Sequence, residues 1–197
     1  MLNEKLKAYK IILASGSPRR QQFFKDLDLD FEIRLKDIEE IYPDNLQSVE
    51  ITNYLAELKA NAFDGEIAAN EILVTSDTIV WLNNKALGKP KDYDDAFAIL
   101  KSLSNETHEV ITSVCFKTID KTETIFDVTN VTFNQLSDEA IRYYLDNYKP
   151  FDKAGAYGIQ EWIGLVGITR IDGSYTNVVG LPTEKVYQYL SQYDTNE

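Results

Sequence analysis

The sequence predicts an α/β protein built on a mixed β-sheet. Short apolar runs of strand length alternate along the chain with segments whose apolar residues recur at helical spacing. Two long strand-like runs, residues 109–119 and 122–133, meet at Asp120-Lys121 and predict an antiparallel hairpin within that sheet. With 197 residues, of which 44% are hydrophobic, the chain is expected to form a single domain over residues 1–197.

The first elements are a strand, a tight turn and a helix. Residues 10–14 form an apolar, β-branched run, and residues 19–27 carry apolar side chains on one helical face. Ser17 is a preferred residue for a helix N-cap, and Pro18 suits the first helical position. The turn at Ser15-Gly16 is therefore expected to direct free backbone N–H groups at one point, where the helix dipole also favours an anion.

Two arginines follow this turn directly. Arg19 and Arg20 carry permanently charged, fork-shaped donors that match phosphate oxygens. The pattern alone leaves two interpretations open: a phosphate-binding turn, or an ordinary strand-to-helix turn with two solvated arginines.

The periodicity predicts the remaining elements in chain order. They are a strand at 31–35, a helix at 48–63, a strand at 71–76 that continues through 78–82 to a hairpin turn at Asn83-Asn84, a helix capped by Asp92 and reaching Leu103, the two strands of the hairpin, a helix from the cap Ser137 to Tyr148, a strand at 163–171, and a C-terminal helix ending near Tyr193.

Asp77 is the first candidate for chemistry. It follows the buried-type strand 71–76, and a carboxylate in that place is suited to general-base or metal chemistry in the crevice beside a sheet. Because aspartate is also a common turn residue, a turn-forming role is the alternative.

The other candidates are charged or polar residues spread along the chain. Glu39 and Glu40 supply the carboxylate oxygens that Mg²⁺ or Mn²⁺ prefers, and Lys59 and Lys89 are cations that would offset the charge of a triphosphate. Gln160 lies in a glycine-bracketed loop, and its amide both donates and accepts, which suits the edge of a nucleotide base. For each of them an ordinary solvated or loop-packing role is the alternative.

The composition excludes several classes of protein. The net charge of −12 argues against a partner that is nucleic acid or an anionic membrane, and no apolar run is long enough to span a bilayer as a helix. The single cysteine, Cys115, excludes an internal disulfide and a cysteine-rich zinc site, and residues 1–6 lack the apolar core of a signal peptide. There is no Walker A motif and no dinucleotide glycine signature. We therefore expect a cytoplasmic protein.

Several short motifs occur between about Ile11 and Leu190. They are Ala14-Ser15-Gly16-Ser17-Pro18-Arg19-Arg20, Lys59-Ala60, Ser76-Asp77-Thr78-Ile79-Val80, Gly88-Lys89-Pro90, Thr107-His108, residues 152–160 (DKAGAYGIQ), and Gly173-Ser174-Tyr175 followed by Val179-Gly180-Leu181-Pro182. In order and spacing, this set resembles the Maf family, the septum-formation-type nucleoside triphosphate pyrophosphatases.

The resemblance implies a fold and an activity. The fold is the one shared with inosine triphosphate pyrophosphatases, a long mixed sheet flanked by helices, with two lobes around an active cleft. The activity is cleavage between the α- and β-phosphates with the help of a divalent cation, Mg²⁺ or Mn²⁺. The family also suggests a homodimer, a role in removing non-standard nucleotides, and a link to cell division.

The resemblance also assigns roles to residues. Asp77 matches the family's proton acceptor, and the pair Glu40 and Asp77 matches its metal-binding positions. The substrate-binding positions are matched by Ser15, Arg19, Arg20, Lys59, Thr78, Lys89 and Gln160. Arg19, Thr78 and Gln160 fall where the family sets base specificity.

The loop at residues 156–160 indicates which branch of the family the sequence resembles. Its Ala-Tyr-Gly-Ile-Gln form, residues 156–160, resembles the branch that acts on dTTP and UTP rather than the branch that acts on 7-methyl-GTP. That branch usually continues with glycine, whereas Glu161-Trp162 follows here. Two alternatives remain: the 7-methyl-GTP enzyme, and a non-catalytic nucleotide-binding regulator of septum formation.

Overall fold

The computed structural model describes residues 2–193; Met1 and residues 194–197, which the single-domain prediction includes, lie outside the described residues. Seven strands form a mixed sheet in the order β2-β1-β3-β5-β6-β7, with β4 beside β3. The strands are β1 Lys10–Leu13, β2 Phe31–Ile33, β3 Glu71–Leu82, β4 Lys85–Leu87, β5 Thr107–Lys117, β6 Thr122–Phe133 and β7 Ile168–Asp172. The predicted α/β class with a mixed sheet is confirmed.

Eight helices accompany these strands in the described residues. They are α1 Leu2–Lys5, α2 Pro18–Asp26, α3 Val49–Asn61, α4 Tyr93–Leu103, α5 Asp138–Tyr148, α6 Trp162–Gly167, α7 Tyr175–Val179 and α8 Thr183–Leu190, together with a 3₁₀ turn at Ala154–Ala156. In this part of the chain, no helix is both long enough and apolar enough to cross a bilayer.

The chain divides into two compact units. The first takes in residues up to Asp77, Thr112–Asp127 and the residues from Gly180 onward, and the second takes in Thr78–Ile111 and Val128–Val179. The boundary therefore falls inside β3, β5 and β6. The prediction of a single domain over residues 1–197 stays a prediction.

The first unit is built around β1. This strand pairs in parallel with β2 on one side and with β3 on the other. Successive side chains of a strand point to opposite faces, so Ile11 and Leu13 pack in one apolar cluster with Phe24 of α2, while Ile12 packs in another with Ala56 of α3. A strand covered on both faces reads as a continuous apolar run, which is why β1 was predictable.

Cys115 lies in the second of these clusters, buried and free.

The second unit has its own core. Leu100 and Leu103 of α4 pack with Tyr144 and Leu145 of α5 against β3, β5 and β6 side chains such as Val80. Asp92 and Ser137 cap these helices, accepting hydrogen bonds from Asp95 N at 2.9 Å and Ala140 N at 3.1 Å. Both caps were predicted from sequence.

The predicted turn between β3 and β4 is also present. Asn83 and Asn84 have φ values of 50° and 60°, the left-handed pair that closes a two-residue hairpin, and β4 pairs antiparallel with β3.

One predicted strand is wrong. Residues 163–171 were expected to be a strand, but Trp162–Gly167 forms α6 and only Ile168–Asp172 forms β7. The backbone N–H groups of Gly164 and Leu165 donate to Glu161 O at 2.9 and 3.4 Å, which closes a helical turn. A short apolar run does not distinguish a strand from a buried helix, so periodicity alone misassigned it.

A bidentate ion pair joins β3 to the end of β2. Arg34 Nη1 and Nη2 donate to Glu71 Oε2 and Oε1 at 3.0 and 2.8 Å, and Ala68 N also donates to Glu71 at 3.1 Å. The Glu71 side chain is only 8% exposed. These hydrogen bonds, led by that from Arg34, lower the pKa of Glu71 from 4.5 to about 2.

Glu71→Gln is expected to destabilise the protein by about 1–3 kcal/mol at neutral pH, because the neutral amide loses the charged pair with Arg34. The carboxylate of Glu71 has a lowered folded pKa, so its contribution is present above pH 4.5 and disappears as the pH falls toward about 2. Urea unfolding at pH 7 and pH 3 should show the gap between variant and wild type shrinking at the lower pH.

Glu32→Gln is the matched control. Glu32 lies 3.5 Å from the same Arg34, but its side chain is 46% exposed, and exposed pairs contribute little. Equal losses in the two variants, or a Glu71→Gln loss that does not change with pH, would contradict the assignment.

Candidate active site

The turn after β1 holds its predicted form with one change. Ser17 has extended backbone at the N-cap of α2 and Pro18 begins the helix, but the Ser17 side chain makes no capping bond. Instead, Ser15 Oγ accepts a hydrogen bond from Ser17 N at 3.3 Å, and Ser15 O accepts one from Gln21 Nε2 at 3.1 Å. The buried Ser15 therefore fixes the shape of the turn from which Arg19 and Arg20 project.

Arg20 is held by two backbone carbonyl groups of the same unit. Its Nε donates to Gly180 O at 2.9 Å and its Nη1 donates to Ser76 O at 2.8 Å. Burial lowers the pKa of the Arg20 guanidinium, and the nearby Asp77 carboxylate opposes that effect. Arg20 thus fixes the backbone beside Asp77 and also brings positive charge to it.

Asp77, Lys59 and Glu40 form a compact charged cluster. Lys59 Nζ lies 2.6 Å from Asp77 Oδ1 and 2.8 Å from Glu40 Oε1. Asp77 and Lys59 are largely buried, with side chains 9% and 15% exposed, whereas Glu40 is 42% exposed. The lysine comes from the last turn of α3. The residue pattern indicated it only as a cation that would offset the charge of a triphosphate.

Asp77 lies within a strand rather than at the end of one. β3 runs without interruption from Glu71 to Leu82, so the expectation that Asp77 ends a strand is wrong, and so is the turn-forming alternative. Aspartate is unfavourable in strands, and no local pattern predicts one in the middle of an apolar run. The cations around it explain how the carboxylate is tolerated there.

Glu40 and Asp77, the residues predicted to bind a metal, lie close enough together to share one ligand. The carboxylates of Glu40 and Asp77 both contact the same ammonium group, so their oxygens converge on one point. Mg²⁺ and Mn²⁺ are commonly held by one or two carboxylates together with substrate phosphates, which fits this pair. Within residues 2–193, no group of three or more His, Cys, Asp or Glu side chains is placed to hold a metal ion without such help.

Three predicted residues belong to the second unit. Thr78 is the half-buried residue after Asp77 in β3, while Lys89 and Gln160 are exposed in loops. The loop of Gln160 is tied to that of Lys89, because Gly155 N donates to Gly88 O at 3.1 Å. Gly155 has a φ of 70°, and a Cβ there would lie 2.6 Å from Val80, so only glycine lets the loop approach β3 so closely.

A second network in this unit was not predicted. Tyr144, Lys153 and Glu161 are linked by hydrogen bonds and ion pairs around the loop that carries Gln160. A buried tyrosine hydroxyl usually has a partner, and that of Tyr144 has two. Trp162 packs its ring against Tyr143, with ring centroids 4.8 Å apart.

A comparison with known protein families gives a match over almost the entire chain. Residues 10–193 match the family described as Maf-like protein. The chain belongs to the Maf family.

Curated Maf relatives are similar over almost their full length. A protein named dTTP/UTP pyrophosphatase from Flavobacterium psychrophilum is 77% identical over 190 residues, which cover 96% of this chain and 97% of that protein. One of the same name from Parabacteroides distasonis is 51% identical over 191 residues, covering 96% and 99%. Among solved structures, the Ham1 protein of Staphylococcus aureus aligns with a TM-score of 0.48 at 16% identity, covering 63% of this chain and 71% of that one.

Arg20→Lys is expected to cost about 1–3 kcal/mol of stability, because a lysine cannot serve the carbonyl groups of Ser76 and Gly180 with two directed donors. Thermal or urea unfolding measures the loss. Arg170→Lys is the matched control, since Arg170 is 72% exposed and its contact with Asp172 is a surface ion pair. Equal stability of the two variants would show that the carbonyl contacts of Arg20 are unimportant.

Proposed function

We propose that this Maf protein hydrolyses dTTP and UTP to the nucleoside monophosphate and pyrophosphate. The observation that carries the proposal is the cluster of Asp77, Lys59 and Glu40 beside Arg20, in a chain 77% identical to a protein named dTTP/UTP pyrophosphatase. A buried carboxylate supplies a proton acceptor, and the surrounding cations compensate the charge of a triphosphate.

In the proposed reaction, Asp77 accepts a proton from a water molecule whose oxygen attacks the α-phosphorus in line with the leaving group. The bond from the α-phosphorus to the bridging oxygen breaks, and pyrophosphate departs with that oxygen. Lys59, Arg19 and Arg20 offset the negative charge, with Lys89 as a further cation, and Ser15 binds phosphate oxygen at the turn. Phosphoryl transfer mainly requires this kind of positioning and charge stabilisation.

Glu40 and Asp77 are the residues that would hold Mg²⁺ or Mn²⁺. When bound, such a cation neutralises phosphate charge and stabilises the departing pyrophosphate. Its support is the convergence of the two carboxylates on a single point. A cytoplasmic location and a homodimer stay predictions.

The activity is tested by incubating dTTP, UTP, CTP, dATP, GTP and 7-methyl-GTP with the protein and Mg²⁺ or Mn²⁺, and measuring pyrophosphate release. We expect pyrophosphate to be released faster from dTTP and UTP than from the other nucleotides. Asp77→Asn should lower the rate by about 10²–10⁴-fold while nucleotide binding remains, because an amide of the same size cannot accept the proton. Pyrophosphate release without chelator and none with EDTA would support the metal.

Three outcomes would contradict the proposal. A flat response across the nucleotides would favour the non-catalytic regulator, and preferential release from 7-methyl-GTP would favour the other branch of the family. Comparable rates for wild type and Asp77→Asn would remove Asp77 from the mechanism.

Gln160 is proposed as the reader of the base, together with Arg19 and Thr78. Its exposed amide is able to pair with the O4 and N3–H edge of uracil or thymine. A mismatched base leaves a polar group unpaired, which costs about 1–3 kcal/mol.

Gln160→Glu should therefore reduce the preference for UTP over GTP, since a carboxylate has no N–H to offer to O4. The measurement is kcat/KM for UTP, CTP and GTP in both proteins. A wild type that prefers GTP, or an unchanged profile in the variant, would show that another residue reads the base.

A further inference from the structure

The loop that carries Gln160 is anchored by a buried contact between Tyr157 and His108. We call residues 152–161 the Gln160 loop. The hydroxyl of Tyr157 lies 2.8 Å from Nε2 of His108, and the two residues are 6% and 2% exposed. Burial lowers the pKa of His108 to about 4, so its imidazole is neutral at neutral pH.

Tyr144 of α5 contacts the end of the Gln160 loop twice. Its hydroxyl oxygen accepts a hydrogen bond from Gly158 N at 3.0 Å, and its O–H donates to Oε2 of Glu161. The two contacts lie on either side of Gln160 in sequence. A single hydroxyl from a buried helix position therefore fixes the backbone before Gln160 and the side chain after it.

Glu161 also closes the loop onto its beginning. Its Oε1 lies 3.2 Å from Nζ of Lys153, whose side chain is 10% exposed and also contacts the exposed Asp152 at 2.8 Å. The Glu161 side chain is itself 18% exposed. A cation and an anion that are both removed from water hold each other strongly, since each would be costly to leave alone.

The Glu161 carboxylate reaches the immediate surroundings of the Gln160 amide. A Cβ on Gly158 would lie 2.8 Å from Cδ of Glu161 and 3.1 Å from Nε2 of Gln160. The ends of both side chains therefore lie over the same glycine. The negative charge of the carboxylate favours the amide orientation in which the –NH₂ group is on the Gly158 side.

We propose that Glu161 is a specificity-determining positioning residue, which acts with Tyr144 to hold the Gln160 amide in one orientation for reading a pyrimidine base. Glu161 constrains this loop through its contacts with Tyr144 and Lys153. The inference rests on the proposed function, because it concerns how the same site selects its base.

The physical effect is preorganisation. An amide that rotates freely pairs with several base edges and pays for its ordering on binding, whereas a fixed amide rejects the wrong edge. Misplacement of a recognition group by about 1 Å is enough to lose much of its selectivity.

The test compares Glu161→Gln with wild type. Glutamine keeps the shape and still accepts from the Tyr144 hydroxyl, but it loses the charge that faces Lys153 and the Gln160 amide. We expect the ratio of kcat/KM for UTP over GTP to fall about tenfold, mainly through a higher KM for UTP, while kcat for UTP changes little.

A matched control removes a tyrosine-bound carboxylate charge elsewhere in the same unit. Tyr93 donates to the exposed carboxylate of Asp146 at 3.0 Å, and this carboxylate lies outside the Gln160 loop. Asp146→Asn should leave the nucleotide ratio unchanged. If Asp146→Asn and Glu161→Gln lower the ratio equally, the effect is one of general stability and the inference is overturned.

Two further measurements separate positioning from a structural role. In a Gln160→Ala background, the substitution Glu161→Gln should no longer change the nucleotide ratio, because Glu161 acts through Gln160. In Tyr144→Phe, amide hydrogen exchange at Gly158 should accelerate without nucleotide present, because its acceptor is lost.

The failure of this inference differs from the failure of the proposed function. If wild type releases pyrophosphate with a pyrimidine preference and Glu161→Gln keeps that preference, only the inference is overturned. If wild type releases no pyrophosphate from any nucleotide, the proposed function fails. The positioning role of Glu161 in base selection then fails too, whatever the rate of amide exchange at Gly158.

Discussion

The contact on which this site depends is the pair of ion pairs that Lys59 makes with Asp77 and Glu40. A carboxylate in the middle of a buried strand is costly unless its charge is compensated. Lys59 provides that compensation from a neighbouring helix, and the guanidinium of Arg20 adds to it. Without these cations, β3 would not tolerate an aspartate between Ser76 and Thr78.

The same cluster explains how an acidic protein is suited to a polyanion. The chain as a whole carries a net charge of −12, which repels a triphosphate at long range. Interactions between exposed charges are screened over about 10 Å at moderate salt, so nearby cations dominate the local field. Lys59 and Arg20 offset the two carboxylates of Asp77 and Glu40 locally, and a bound cation would add positive charge at the same place.

Elements with a strong local signal were predictable from the sequence. The apolar run of β1, the proline that begins α2, the asparagine pair after β3 and the caps Asp92 and Ser137 each have a physical reason within a few residues. The elements that were missed or misassigned lack such a signal. The short helices α1 and α7 were not predicted, and the helix at Trp162–Gly167 was read as a strand because its apolar run has no period.

The candidate site shows the same division. The turn at Ser15 was predicted from residue types alone, because a strand, a cap and a proline occur together, and its phosphate-binding role stays a prediction. The partnership of Lys59 with Asp77 joins residues 18 positions apart and depends on how α3 packs beside β3. No local pattern encodes that distance, so only the family resemblance placed both residues in one site.

The Gln160 loop shows what buried polar contacts contribute besides stability. Buried polar contacts contribute little net stability, because desolvation offsets most of what each bond gains. A chain that places Glu161 among Lys153, Tyr144 and Gly158 gains mainly a defined geometry from it. Recognition by an amide needs such geometry, since an amide has a donor and an acceptor of nearly equal shape and discriminates only when its orientation is fixed. The proposed role of Glu161 in base selection therefore explains its place beside that amide better than a role in folding does.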